Sequence, residues 1–147
     1  QRSTLPIELY DNGARHIVVT LGDVGELGAL ARDGAAIAAL EITGVNAIAR
    51  TEGGWRNRML WEHGEDPATG SAAASLGGYL RALGLVTPPA QVVIRQGHHV
   101  GAPSLLTVDV PTTGGITVTG AAQAGQEAAT EGGARRRWRP RRYRSAP

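Results

Sequence analysis

The sequence predicts an α+β fold in which a sheet surrounds one central helix. Three observations carry this. Short β-branched, apolar runs recur along the chain, and residues 16–21 (His-Ile-Val-Val-Thr-Leu) are the clearest of them. Such runs suit a pleated, half-buried surface. Residues 70–83 form the strongest helical pattern, followed by Gly84 at a position suited to a left-handed C-cap. Between positions 70 and 80 that helix carries no charged residue. A surface helix shows a charged face, so one that is small or apolar all round is buried on every side. A helix threaded through strands, with its N-terminus opening into a pocket, meets that condition.

The elements follow in order. Residues 5–10 read as a strand, and Asn12-Gly13 suits a tight hairpin connection to the strand at 16–21. Residues 25–31 and 34–40 are rich in Ala and Leu and read as two short helices, with Asp23 and Asp33 placed to cap them. Residues 44–50 read as a strand, 51–57 as a polar loop or hairpin end, 58–61 as a short strand and 62–67 as irregular. After the central helix, strands are expected at 91–95, 105–110 and 115–119. Leu76, Leu80 and Leu83 share one helix face.

Composition narrows the function. The 147 residues amount to one domain, with 15 Arg, no Lys and no Cys. Without Cys there is no disulfide, no thiolate zinc site and no thiol acid or base. No apolar run is long enough to span a membrane, and no basic-then-apolar leader is visible, so the expected compartment is the cytoplasm. The net charge of +2 conceals a split: residues 131–147 balance at +6 and residues 1–130 at −4. The basic stretch is thus a tail, expected from residue 126 onward and dispensable for folding, after a domain at 1–125. Trp138 and Tyr143 interleave its Arg residues, a pattern able to stack on unpaired bases, yet a solvated tail is the favoured reading and a nucleic-acid partner is not expected.

One segment carries chemistry: Gly64-Glu65-Asp66-Pro67-Ala68-Thr69-Gly70-Ser71-Ala72. Pro67 keeps Asp66 out of the α region, so Asp66 stands extended just outside the helix. Residues 68–71 then offer backbone N–H groups that have no intrahelical partner, reinforced by the helix dipole. Gly70 allows close approach of a ligand. The result is a cradle for a carboxylate with an acidic side chain beside it. The same residues also allow a plain helix start, with Asp66, Thr69 or Ser71 as N-cap. Adjacent His98 and His99 read as surface histidines rather than metal ligands. His63 has both a cleft-lining and an exposed reading, and Trp55 and Trp61 read as covering the core edge in a chain without Phe.

Residues 65–72 resemble the signature of the phenazine-biosynthesis PhzF-like proteins. Asp11-Asn12-Gly13-Ala14-Arg15-His16, Asn57-Arg58-Met59, Gln96-Gly97 and Gly101-Ala102-Pro103-Ser104 are similar to further family segments and lie in the family's order. The resemblance implies a diaminopimelate-epimerase-like half, a β-barrel-like sheet around a central helix, with the active site in a cleft between two such halves. It implies cofactor-free, metal-free isomerisation by proton transfer at a carbon of a small carboxylate substrate. Asp66 is then the catalytic carboxylate, and Thr69, Gly70, Ser71, Asn12 and His16 bind substrate; Asn12 and His16 also have a reading in which they serve only the turn and the strand start. The resemblance implies that the matching half is the second, so the family's main acid/base Glu, which belongs to the first half, is not expected among these residues. The chain is therefore expected to work as a homodimer or with a separate first-domain chain; otherwise it is a catalytically incomplete domain that binds a small carboxylate or a partner. Ala102 stands where the family's loop has Arg, and the stretch between Arg58 and Glu65 is shorter than the family pattern.

Overall fold

The computed structural model describes residues 3–121. The expected tail from residue 126 and the domain limit at 125 lie outside the described residues.

The elements run β1 (Glu8–Asp11), β2 (Arg15–Thr20), α1 (Val24–Ala29), α2 (Gly34–Ala39), β3 (Gly44–Thr51), β4 (Gly54–Trp61), β5 (Gly64–Asp66), α3 (Gly70–Ala82), β6 (Ala90–Gln96), β7 (Ser104–Val110) and β8 (Thr117–Gly120). One mixed sheet has the order β1-β2-β3-β4-β6-β7-β8, with β5 paired to β4. β1 and β2 form the hairpin expected at Asn12-Gly13, where Gly13 takes a φ of 94°. Two strand pairs are parallel, β2 with β3 and β4 with β6. Parallel neighbours need a crossover; α1 and α2 supply the first, β5 and α3 the second.

The second crossover places α3 in the concave face of the sheet. α3 touches β1 and β2 at one end of the sheet and β7 and β8 at the other. A flat sheet could not offer both edges to one helix, so this is a curled half-barrel wrapped around a central helix, as the resemblance implied. No residue of α3 from Ser71 to Arg81 is exposed, which is what its lack of charge required. Leu76, Tyr79 and Leu80 are fully buried against Val18, Ile48, Ile94 and Val108. A Cβ on Gly77 would lie 2.7 Å from Val108 and 2.8 Å from Ile116, so this glycine sets how closely the helix meets β7. α3 ends as the sequence indicated. Gly84 has a φ of 65°, its N–H donates to the Arg81 carbonyl and the Leu85 N–H donates to the Leu80 carbonyl, a Schellman motif.

β3 is covered on both sides, by α3 within and by α1 outside, where Leu27 packs with Leu21, Ala47 and Ala49. Two-sided burial explains its nearly continuous run of buried residues. Asp23 and Asp33 cap α1 and α2 through bonds to the N–H groups of Glu26 and Ala36.

Two readings need correction. Residues 54–57 are not loop but the first half of β4, and the turn is confined to Glu52 and Gly53. Residues 64–66 are not irregular but form β5. Glu and Asp disfavour strands locally, and β5 exists because it pairs with β4 at Met59, Leu60 and Trp61.

Candidate active site

The site is built where β5 runs into α3. Asp66 ends the strand and Thr69 occupies the N-cap position, yet neither caps the helix with its side chain. The Thr69 hydroxyl instead donates to Asp66 Oδ2 at 2.5 Å. The first intrahelical bond runs from the Ala73 N–H to the Thr69 carbonyl at 3.0 Å. The N–H groups of Gly70, Ser71 and Ala72 therefore precede the helical ladder. A Cβ placed on Gly70 would meet nothing within 4 Å among the described residues, so the backbone at Gly70 is open to close approach.

A buried network holds Asp66 and Thr69. Gln96, fully buried at the end of β6, donates from Nε2 to the Asp66 carbonyl at 2.6 Å and to Thr69 Oγ1 at 3.0 Å. Its Oε1 accepts from Asn57 Nδ2 at 3.1 Å. Because Gln96 donates into Thr69 Oγ1, the Thr69 proton is left for the Asp66 carboxylate. Ser104 Oγ donates to the Pro67 carbonyl at 2.5 Å. Gly97 makes this approach possible: its φ is 78°, and a Cβ there would lie 2.2 Å from the Ala102 carbonyl oxygen and 2.8 Å from that of Pro67. Gly97→Ala is accordingly expected to destabilise the fold by about 2 kcal/mol or more, because both the backbone conformation and the space exclude a side chain. Denaturant unfolding measures this; an unchanged midpoint contradicts it.

The β1–β2 hairpin grips the helix start from the other side. Asn12 Nδ2 donates to the Ser71 carbonyl at 2.8 Å and reaches Ser75 Oγ at 3.3 Å. His16 is fully buried, and its Nε2 lies 3.0 Å from Ser71 Oγ, while Nδ1 has no partner among the described residues. Burial lowers the His16 pKa from 6.5 and keeps the ring neutral. In the unfolded chain His16 takes up a proton at its ordinary pKa; in the fold it resists doing so. Stability is thus complete above about pH 6.5 and falls as the pH drops below it, by at most about 1.4 kcal/mol per pH unit until the folded ring titrates. Unfolding free energies between pH 7 and 5 should show this slope, and His16→Gln should remove it. Equal slopes in both proteins contradict the prediction.

Arg58 organises the outer side. Its Nε and Nη2 hold Glu65 Oε2 at 3.0 and 2.9 Å, and its Nη1 donates to the carbonyls of Leu27 and Leu30 at 2.9 and 2.8 Å. Glu65 is thereby committed to Arg58, leaving Asp66 as the carboxylate that faces the helix start. A cavity of about 400 Å³ adjoins it, lined by Thr43, Met59, Trp61, Glu65, Asp66 and Pro67. His63 is exposed beside Trp61, with ring centroids 5.1 Å apart. His98 and His99 are exposed in a 3-10 turn. Among the described residues no group of three His, Asp or Glu side chains converges as a metal site.

All six residues singled out in the sequence, Asp66, Thr69, Gly70, Ser71, Asn12 and His16, therefore meet at one end of α3. A family model for phenazine biosynthesis-like proteins (PhzC/PhzF) matches residues 1–128. The chain belongs to this family. It is 39% identical over 107 residues to trans-2,3-dihydro-3-hydroxyanthranilate isomerase of Pseudomonas chlororaphis, covering 71% of this chain and 38% of that protein. It is 40% identical over 105 residues to the isomerase of the same name from Pseudomonas aeruginosa, covering 69% and 38%. The chain thus spans well under half the length of the curated relatives it matches. Its fold is similar to a PhzF-family protein of Bacillus anthracis, with a TM-score of 0.61 at 14% identity over 78% of this chain and 44% of that one. It is also similar to a predicted epimerase from Pseudomonas aeruginosa, with a TM-score of 0.57 at 27% identity over 80% and 44%.

The PhzF-like segments outside the signature turn out to be its buttresses: Gln96, Gly97 and Ser104 bear on residues 66–69, and Asn57 holds Gln96. Gln96, Asn57 and Arg58 support the site without being candidates from the sequence. Periodicity offers no signal for them, because Asn57 falls in a stretch that reads as polar loop and Gln96 just beyond a strand; both are buried amides that find partners through long-range pairing.

Proposed function

We propose that this chain supplies one wall of an isomerase active site of PhzF type, which moves a proton between carbons of a small carboxylate substrate without a cofactor. The observation that carries this reading is Asp66, held by Thr69 and Gln96, standing beside the uncapped N-terminus of a buried helix. The helix start binds the substrate carboxylate through the N–H groups of Gly70 and Ser71, and Asp66 exchanges a proton with the adjacent carbon. The isomerase name of the relatives supports the reaction class. Proton transfer of this kind needs one group to donate while another accepts across the substrate. Glu65 is occupied by Arg58, so the second group comes from another wall, on a second copy, a separate chain or a further part of the polypeptide.

The same commitment of Glu65 favours a second reading, in which the chain alone only binds a small carboxylate or a partner domain. Deuterium incorporation into trans-2,3-dihydro-3-hydroxyanthranilate, the compound in the relatives' name, separates the two. Exchange should be slow with this chain alone and fast once a chain carrying a first-domain Glu is added. Binding without exchange in both cases supports the second reading. Rapid exchange by this chain alone, unaffected by Asp66→Asn, overturns the role given to Asp66.

A further inference from the structure

His16 is a buried titratable side chain that proton transfer at Asp66 does not use. Its Nε2 stands 3.0 Å from the Ser71 hydroxyl, a spacing that also fits a nucleophile and its base. Such a pair needs a third group at Nδ1 to orient the ring and to stabilise its charged form. Here Nδ1 is buried with no partner among the described residues, so they supply no such pair.

The unpartnered nitrogen decides the tautomer instead. A neutral imidazole has one N–H and one bare nitrogen, and the bond at one nitrogen sets the state of the other. With the proton on Nδ1, the fold would bury an N–H with no acceptor. With the proton on Nε2, it buries only an unused lone pair. Orphaned buried N–H groups are the rarer and costlier case. Nε2–H therefore donates to Ser71 Oγ. The Ser71 backbone is fixed as well, since Asn12 Nδ2 and Ser75 Oγ both donate to its carbonyl, at 2.8 and 3.0 Å.

We propose that His16 is a positioning residue: its Nε2–H commits the Ser71 hydroxyl proton to the ligand, so that the start of α3 presents donors only and selects a carboxylate over the corresponding carboxamide. This rests on the carboxylate site proposed above. The donors are the N–H groups of Gly70 and Ser71 and the Ser71 O–H. A carboxylate offers acceptors to all of them. A carboxamide turns its own N–H₂ toward a donor and leaves both unpaired. Burial of His16 keeps the ring in the neutral form that this arrangement requires.

The test has two arms on the full chain. Nitrogen NMR of the histidine-labelled protein at neutral pH reads the tautomer directly, and a protonated Nε2 with a bare Nδ1 is expected for His16. Binding of anthranilate and of anthranilamide is measured in parallel. The acid should bind about tenfold tighter or more, the scale of a hydrogen bond to a charged group. His16→Gln, whose amide also donates, should keep most of that preference, and His16→Met should lose it. An Nδ1–H tautomer, a charged ring, or a full preference retained in His16→Met overturns the proposal. Failure of anthranilate to bind wild type contradicts the carboxylate site itself, while the nitrogen spectrum still decides the state of His16.

Discussion

Asp66→Asn is expected to lower isomerisation by the complemented enzyme about 10²-fold or more, the usual contribution of one acid/base group. The substitution is nearly isosteric, and the Asn carbonyl still accepts from the Thr69 hydroxyl, which donates to Oδ2 in the native site. The fold and the helix start should survive it, so the loss belongs to proton transfer and should fall on kcat. Solvent-deuterium incorporation measures the step itself. A loss of less than about threefold, with unfolding unchanged, means that Asp66 only shapes the turn.

The largest effect on stability is expected at Arg58. Its side chain is 11% exposed and that of Glu65 is 6%, so the ion pair lies almost entirely within the protein. Arg58→Met removes the charge facing Glu65 and also abandons the carbonyls of Leu27 and Leu30. Breaking one side of a buried pair costs about 3–5 kcal/mol, because the other charge is left uncompensated. Arg58→Met with Glu65→Leu should recover much of that loss, since no charge is then stranded. Denaturant unfolding of the three variants checks this. A single-variant loss below about 1 kcal/mol, or a double variant no better than the single, contradicts it.

The parts of the fold legible in the sequence are those set by neighbours along the chain. Asp23, Asp33, the Asn12-Gly13 turn and Gly84 act within a few residues, and each does in the structure what its type suggests. The chargeless stretch of α3 also reads correctly, because burial on every side leaves a mark on composition. What could not be read depends on distant pairing. β5 has the composition of a loop and becomes a strand through β4. Nothing in the sequence pairs Arg58 with Glu65, but the register that opposes Leu60 and Glu65 makes Arg58 a diagonal neighbour of Glu65. Gln96 lies 30 residues beyond Asp66, and only the crossover through α3 brings them together. The candidate site shows much the same division: residues 66–71 are contiguous and legible. Of the side chains that hold them, only Asn12 and His16 of the β1–β2 hairpin are singled out by the sequence, whereas Asn57, Gln96 and Ser104 come from β4, β6 and β7.

The central claim is that the start of α3 holds a substrate carboxylate beside Asp66. A crystal structure of the protein with a dihydroanthranilate-like acid tests it most directly. The carboxylate should lie within hydrogen-bonding distance of the Gly70 and Ser71 N–H groups, with the ring carbon next to the Asp66 side chain. Density for the acid that leaves this helix start empty and lies elsewhere, such as the cavity between Pro89 and Pro111, would contradict it.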